Sequence, residues 1–313
     1  MMPSALSQRL RLPLIAAPMT GVSGPDLVAA SCAAGVIGSF PSANAPSAAV
    51  LDEWLTTLDA AGAGHAPYAV NLIMRHHRLA ADLALVVEHR VPVVITSVGS
   101  PAPIMDHLHG AGTLVLADVA TLRHAHRALE AGVDGLVLLT AGAGGQTGWL
   151  NPFAFVRAVR EFYAGTVVLA GGVSDGAALQ AARVLGVDLA YMGTRFIATT
   201  ESLASAGYKQ MLVDSDLDDV MLTRAFTGLR TSMLAPAIRE AGLDPAALDE
   251  TMSPEQATQL YGGSGPGLLP THWTDAWSAG HTVSAVKRVE SVADLVEAVA
   301  AEFNVAGGSG AGR

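Results

Sequence analysis

Residues 135–149 read GLVLLTAGAGGQTGW. Gly135 to Leu139 is a short apolar run without the alternation of a half-exposed strand, the pattern of a strand buried on both faces of a parallel sheet. Gly142 to Gly148 is a glycine loop with two polar side chains, Gln146 and Thr147, and no charge. Asn151-Pro152 then supplies a helix N-cap and a proline for the first helical position, and Phe155, Val156, Val159 and Phe162 recur at helical spacing. The unit is strand, glycine loop, helix. Glycine is entropically costly to order, so the loop is either a plain connecting turn or a place where backbone approaches a ligand. Its spacing is not G-x-G-x-x-G, and no acidic residue is placed to hold a ribose, so a dinucleotide fingerprint fits poorly.

Working outward, seven further apolar runs share the character of 135–139: Leu14–Ala17, Val36–Phe40, Tyr68–Ile73, Val91–Ser97, Thr113–Val119, Thr166–Gly172 and Leu189–Thr194. Successive starts lie about 22 residues apart in most gaps, the length of a strand–loop–helix–loop unit. Alanine-rich helical patterns fall between them (Pro25–Ala34, Leu79–His89, Leu122–Ala131, Ala177–Leu185), and Gly35, Gly132 and Gly186 stand where C-terminal caps belong. Eight regular units point to an α/β fold, a (β/α)8 TIM barrel, over an open doubly wound sheet.

After the eighth run the rhythm breaks. Helical segments around Tyr208–Val213 and Ser232–Ala241 and a polar stretch, Tyr261–Gly267, read as a helical cap inserted after strand eight. The expected division is a barrel of residues 1–202 and 271–306, a cap of 203–270, and a disordered tail of 307–313. Ser291–Phe303 is the closing helix.

Composition bounds the rest. The chain has 313 residues, half of them hydrophobic, and a formal net charge of −10. That charge argues against nucleic acid or an anionic membrane as partner, and no apolar run nears the roughly 18 residues of a membrane span. Residues 1–11 lack the marks of a signal peptide, and the single cysteine, Cys32, suits a reducing compartment, so a cytoplasmic enzyme is expected. Cys32 sits among alanines as a buried thiol. No histidine–carboxylate spacing makes a metal site.

In such barrels ligands bind at the C-terminal strand ends, with phosphate on the loops after strands seven and eight. Strand seven runs into Gly171-Gly172-Val173-Ser174-Asp175-Gly176 and strand eight into Met192-Gly193-Thr194-Arg195. Exposed backbone N–H groups there can hold a phosphate without lysines; alternatively, Ser174 or Asp175 simply caps the next helix. Strand one ends Ala17-Pro18-Met19-Thr20-Gly21, where proline stops the ladder and is expected to leave a backbone edge for a polar heterocycle with Met19 against its face. Asn71 on strand three, and Thr96 and Ser97 on strand four, offer hydrogen bonds toward the same group.

Seven segments together resemble the nitronate monooxygenase family, formerly the 2-nitropropane dioxygenases, and the related FMN-dependent enoyl reductases of fatty-acid synthesis. They are APMTG (17–21), VNL (70–72), AGAGGQTG (141–148), LAGGVSDG (169–176), YMGTRFIATTES (191–202), AFTGLRTSML (225–234) and WSAGHTVSAV (277–286). The resemblance implies FMN at the barrel mouth, its phosphate on Gly171, Gly172, Gly193 and Thr194. The isoalloxazine is then expected near Ala17, Pro18, Met19 and Asn71, with the loop of Gly144 and Gly145 facing it from the substrate side.

One departure bears on chemistry. Family members active on nitronates resemble EAGGHxG in this loop, and their histidine is the base; here that position is Gln146, and the acidic residue is also missing. An amide cannot take a proton near neutral pH, but an already ionised nitronate needs no base. His76, in the cluster Arg75-His76-His77-Arg78 after strand three, is the candidate replacement, and the cluster could hold a carboxylate or the phosphates of a coenzyme A thioester. It could equally be a solvated helix start. His281 ranks below His76. The leading reading is an FMN-dependent oxidoreductase that oxidises nitronate-like carbanions with oxygen, with Gln146 and His76 as the catalytic-site residues. The alternative is an NAD(P)H-linked FMN reductase or dehydrogenase acting on an acyl thioester; a flavin-free lyase or isomerase acting on a phosphorylated substrate is more remote. The sequence leaves the oligomeric state open, with a homodimer as one option.

Overall fold

The computed structural model describes residues 7–62, 66–261 and 276–308. Eight parallel strands close into a barrel: β1 (Leu14–Ala16), β2 (Ile37–Pro41), β3 (Ala69–Ile73), β4 (Val93–Ser97), β5 (Leu114–Val119), β6 (Gly135–Leu139), β8 (Thr166–Ala170) and β9 (Leu189–Met192). Closure is by β9 on β1, with Tyr191 beside Ile15. The fold is the (β/α)8 TIM barrel that the eight runs predict.

Alternate strand residues fill the barrel: Ile15, Ile37, Val93, Ile95, Leu116, Val137, Val168, Leu189 and Tyr191 belong to one buried cluster. The intervening residues pack outward against the helices. Both faces are therefore dry, which is why the strands read as continuous apolar runs. Four of the barrel helices start at side-chain caps: Ser47, Thr121, Asn151 and Asp175 each accept a backbone N–H of the first turn. Gly35, Gly132 and Gly186 take the left-handed conformation after their helices, at φ of +88°, +89° and +102°.

Beyond β9, the segment expected to be helical is mixed. Helices Ala206–Asp214, Ala235–Glu240 and Pro254–Tyr261 flank a hairpin of β10 (Val220–Thr223) and β11 (Thr231–Leu234). The expected helix Ser232–Ala241 is thus half strand. Pro236 lies in the first turn of the helix, which begins at Ala235, and the residues before it are held in a ladder. The third strand of that small sheet is β7, Gly145–Gln146, from the glycine loop itself. Past Tyr261, the expected stretch Tyr261–Gly267 lies outside the described residues. The closing helix runs from Val292 to Gly308, beyond the predicted end at Phe303, and residues 309–313 lie outside the described set. No helix among the described residues is long and apolar enough to cross a membrane.

Candidate active site

A cavity of about 1590 Å³ opens at the C-terminal end of the barrel. Small-molecule sites usually occupy roughly 300–1,000 Å³, so this one has room for a cofactor and a substrate together. Ala17, Pro18, Met19, Asn71, Gly144, Gly145, Gln146, Gly171, Gly172, Gly193 and Thr194 all line it. His76 does not. The barrel thus gathers residues from β1, β3 and the ends of β6, β8 and β9, spread over most of the chain, into one wall.

His76 stacks on His77 at 4.4 Å, and its Nδ1 accepts from the Arg78 N–H at 3.4 Å. Burial first, then the neighbouring His77 and Arg78, hold its pKa below the ordinary imidazole value. The Arg78 guanidinium donates to the Ser42 carbonyl at 3.0 Å and lies 3.6 Å from Asp82. Of the four-residue basic cluster, only Arg75 reaches the cavity wall.

The backbone edge after β1 is not open as the sequence suggests. Ser23 Oγ donates to the Ala17 carbonyl and accepts from the Met19 N–H, while Asn44 Nδ2 donates to the carbonyls of Met19 and Ser23. These two side chains, not singled out in the sequence, clamp the Pro18–Val22 turn. Asn71 is positioned from behind: Nδ2 donates to the Ile95 carbonyl at 3.0 Å and to Ser97 Oγ at 3.1 Å, and Oδ1 has a long contact of 3.5 Å from Ser97 Oγ, which leaves it a lone pair to accept a further bond. Of the pair on β4, Ser97 lines the cavity, whereas Thr96 donates outward to the Leu116 carbonyl.

At the other side, Gly171 and Gly172 have φ of +115° and +81°. A Cβ on Gly171 would lie 2.7 Å from Thr140 Oγ1, whereas one on Gly172 would meet nothing within 4 Å. Asp175 caps the helix Gly176–Leu185, and the Gly176 N–H is taken by Glu302. The 171–173 backbone, rather than that helix end, therefore faces the cavity. Arg195 is committed to Glu290 at 2.8 Å and to the Ser174 carbonyl. Thr194 Oγ1 accepts from the Gly280 N–H. The glycine-lined wall of residues 171–172 and 193, the Asn71 acceptor and the cavity's size fit a phosphate-bearing heterocyclic cofactor.

The barrel and this wall match known proteins. The family model described as nitronate monooxygenase matches residues 66–302. The chain belongs to the nitronate monooxygenase family. It is 30% identical over 291 residues to a nitronate monooxygenase of Paraburkholderia phytofirmans, covering 79% of this chain and 78% of that one. It is 27% identical over 232 residues to a Mycobacterium tuberculosis hydroxy-methyl-oxo-octahydroindene-carboxyl-CoA dehydrogenase, covering 73% and 64%. The structure of FabK from Thermotoga maritima superposes with a TM-score of 0.83 at 25% identity, over 99% of this chain and 98% of that one. This nitronate monooxygenase family member is accordingly an oxidoreductase.

Two cavity residues were missed in the sequence. Asp118 continues the inward series Leu114, Leu116 on β5; its Oδ1 is out of reach of solvent and finds no hydrogen-bond partner among the described residues. The residue as a whole is half-buried because it borders the cavity. Desolvation pushes its carboxyl up to about 7. The Tyr191 hydroxyl, on β9, is likewise without a partner, and burial, then the Asp118 charge, push its phenol well up. The period-2 alternation of β5 was the signal for Asp118: its place in Thr113–Val119 is an inward one.

Proposed function

We propose that this family member is an FMN-dependent oxidase of ionised nitronates, with dioxygen as the final oxidant. The observation that carries the proposal is Gln146 at the cavity wall. Its strand β7 pairs with β11, Gln146 lying opposite Thr231, so a rigid ladder presents an amide where a base would stand. The amide can donate to the oxygens of a nitronate and orient it, and it moves no proton. FMN, when bound, supplies the two-electron acceptor that oxygen regenerates. The chain would hold its phosphate with the backbone of Gly171, Gly172, Gly193 and Thr194, and its ring beside Ala17, Pro18, Met19 and the Asn71 acceptor. The hairpin loop (Leu229, Arg230) and the 278–282 segment, which line the outer cavity, would exclude water from the reacting centre.

A second reading has its own observation. Arg75, His124, Arg127 and Arg230, all exposed, line the cavity alongside two acids, Glu130 and the half-buried Asp118. In a chain of net charge −10, that concentration of positive charge suits an anionic tail such as that of a coenzyme A thioester, and an NAD(P)H-linked reductase would then be the activity. An absorbance spectrum followed by anaerobic mixing separates the two. Flavin bleached by ethyl nitronate supports the oxidase; flavin bleached by NADH or NADPH and indifferent to nitronate supports the reductase. A colourless protein that stays colourless with added FMN sinks both.

A further inference from the structure

We propose that Asp118, as a neutral carboxylic acid, is a hydrogen-bond donor to the ring system of the bound cofactor, so that the cofactor is held with Asp118 protonated and released as Asp118 ionises. The inference rests on the FMN reading above and concerns a residue, Asp118, that the family motifs do not include.

Geometry selects the partner. Asp118 stands on β5 and Tyr191 on β9, three strands apart around the barrel, and both border the cavity. The two are close enough for the Asp118 charge to act on the phenol. The phosphate loops follow β8 and β9, so a ligand anchored there reaches β5 only with the end remote from its phosphate. For FMN, that end is the ring, whose pyrimidine side carries carbonyl oxygens and a ring nitrogen as acceptors. Asp118 is a half-buried polar group with part of its side chain open to the cavity, and its Oδ1 has no partner among the described residues. Such groups are expensive unless a ligand completes them.

Electrostatics selects the protonation state. The interior neighbours of Asp118 on the adjoining strands are Ile95 and Ser97 of β4 and Val137 and Leu139 of β6; across the barrel stands Tyr191. The other charged or titratable side chains on the wall are Arg75, His124, Arg127, Glu130 and Arg230, all exposed, and the buried Tyr208. None contributes to the Asp118 shift, whose cause is desolvation alone. A carboxylate there would have no cation to pair with and would point its charge at ring oxygens. A neutral acid donates.

The test is FMN titration of the apo protein, followed by flavin fluorescence between pH 5.5 and 8.5, in wild type, Asp118→Asn and Asp118→Leu. The FMN phosphate titrates identically in all three, so it cancels in the comparison. The expected wild-type Kd, relative to Asp118→Asn, weakens by up to about tenfold per pH unit above pH 7. Asp118→Asn, an amide that donates and cannot ionise, binds nearly as wild type does at low pH and holds that affinity at high pH. Asp118→Leu, folded by circular dichroism, binds at least several-fold more weakly at every pH. A wild-type Kd that runs parallel to that of Asp118→Asn overturns the donor role while leaving the FMN reading standing. Absence of FMN binding at every pH overturns both.

Discussion

Gly144 and Gly280 meet backbone to backbone. A Cβ on Gly144 would lie 2.8 Å from the Gly280 nitrogen, and a Cβ on Gly280 would lie 2.7 Å from the Gly142 carbonyl and 2.9 Å from the Gly144 nitrogen. The His281 N–H donates to the Gly142 carbonyl, and the Gly280 N–H to Thr194 Oγ1. Part of the glycine content of the 142–148 loop is therefore explained by the segment that docks on it. Gly280, at φ −87° and ψ 173°, has a backbone any residue adopts, so alanine there acts by sterics alone. Gly280→Ala is expected to destabilise the protein by about 1–3 kcal/mol, as overpacking does, read as a lower thermal midpoint. An unchanged midpoint would mean the two loops separate freely.

The phosphate assignment is best tested at Gly193. Its φ of −105° suits a side chain, and an added Cβ would make only ordinary contact with Met19 Sδ at 3.5 Å. Gly193→Val is expected to weaken FMN binding at least tenfold with little change in thermal midpoint, because bulk then stands where backbone must approach the phosphate. Gly172 faces open space but has φ +81°, so a bulky residue there adds strain of about 1–2 kcal/mol to the same binding defect. Normal flavin content in both variants would refute the assignment.

On the proposed reading, Gln146 sets the substrate form. Neutral nitroalkanes are expected to be turned over at least ~100-fold less efficiently than the matching nitronates, the usual worth of a general base. Gln146→His should raise turnover of the neutral forms, with a rate that climbs as pH passes the ordinary imidazole pKa near 6.5. Equal wild-type turnover of both forms would reveal a base elsewhere.

Asp118 also makes a stability prediction. Its folded pKa, about 7, exceeds its ordinary value of 3.8, so between these values the folded protein binds more protons than the unfolded chain. Stability of the apo protein should therefore fall as pH rises from about 4 to about 7 and level off above. Urea midpoints at pH 5 and pH 8 should differ less in Asp118→Asn than in wild type. Equal differences in the two proteins would mean that Asp118 ionises normally in the folded state.

The barrel was legible because its physics is local and periodic. Each strand buried on both faces had to be a continuous apolar run, several helices begin at a cap such as Asn151 or Asp175, and several returns to the sheet use a glycine such as Gly186. Strand ends such as Asn71, Gly171 and Gly193 could be marked as site residues because barrel topology puts all strand ends on one face. The sequence by itself thus determined the repeat, the face on which the cavity opens and the amide, in place of an imidazole, at position 146.

What only the tertiary structure decided lies between elements far apart in the chain. The pairing of Gly145–Gln146 with Thr231–Leu234 joins segments about ninety residues apart, and a two-residue strand has no periodicity to read. The turn clamped by Ser23 and Asn44, and the exclusion of His76 from the wall, follow from where hydrogen bonds close in space. Asp118 marks the limit most sharply. Its inward phase could be counted along β5, but its ionisation depends on the barrel interior around it and on the absence of a pairing cation among the described residues, and only the assembled barrel specifies that environment.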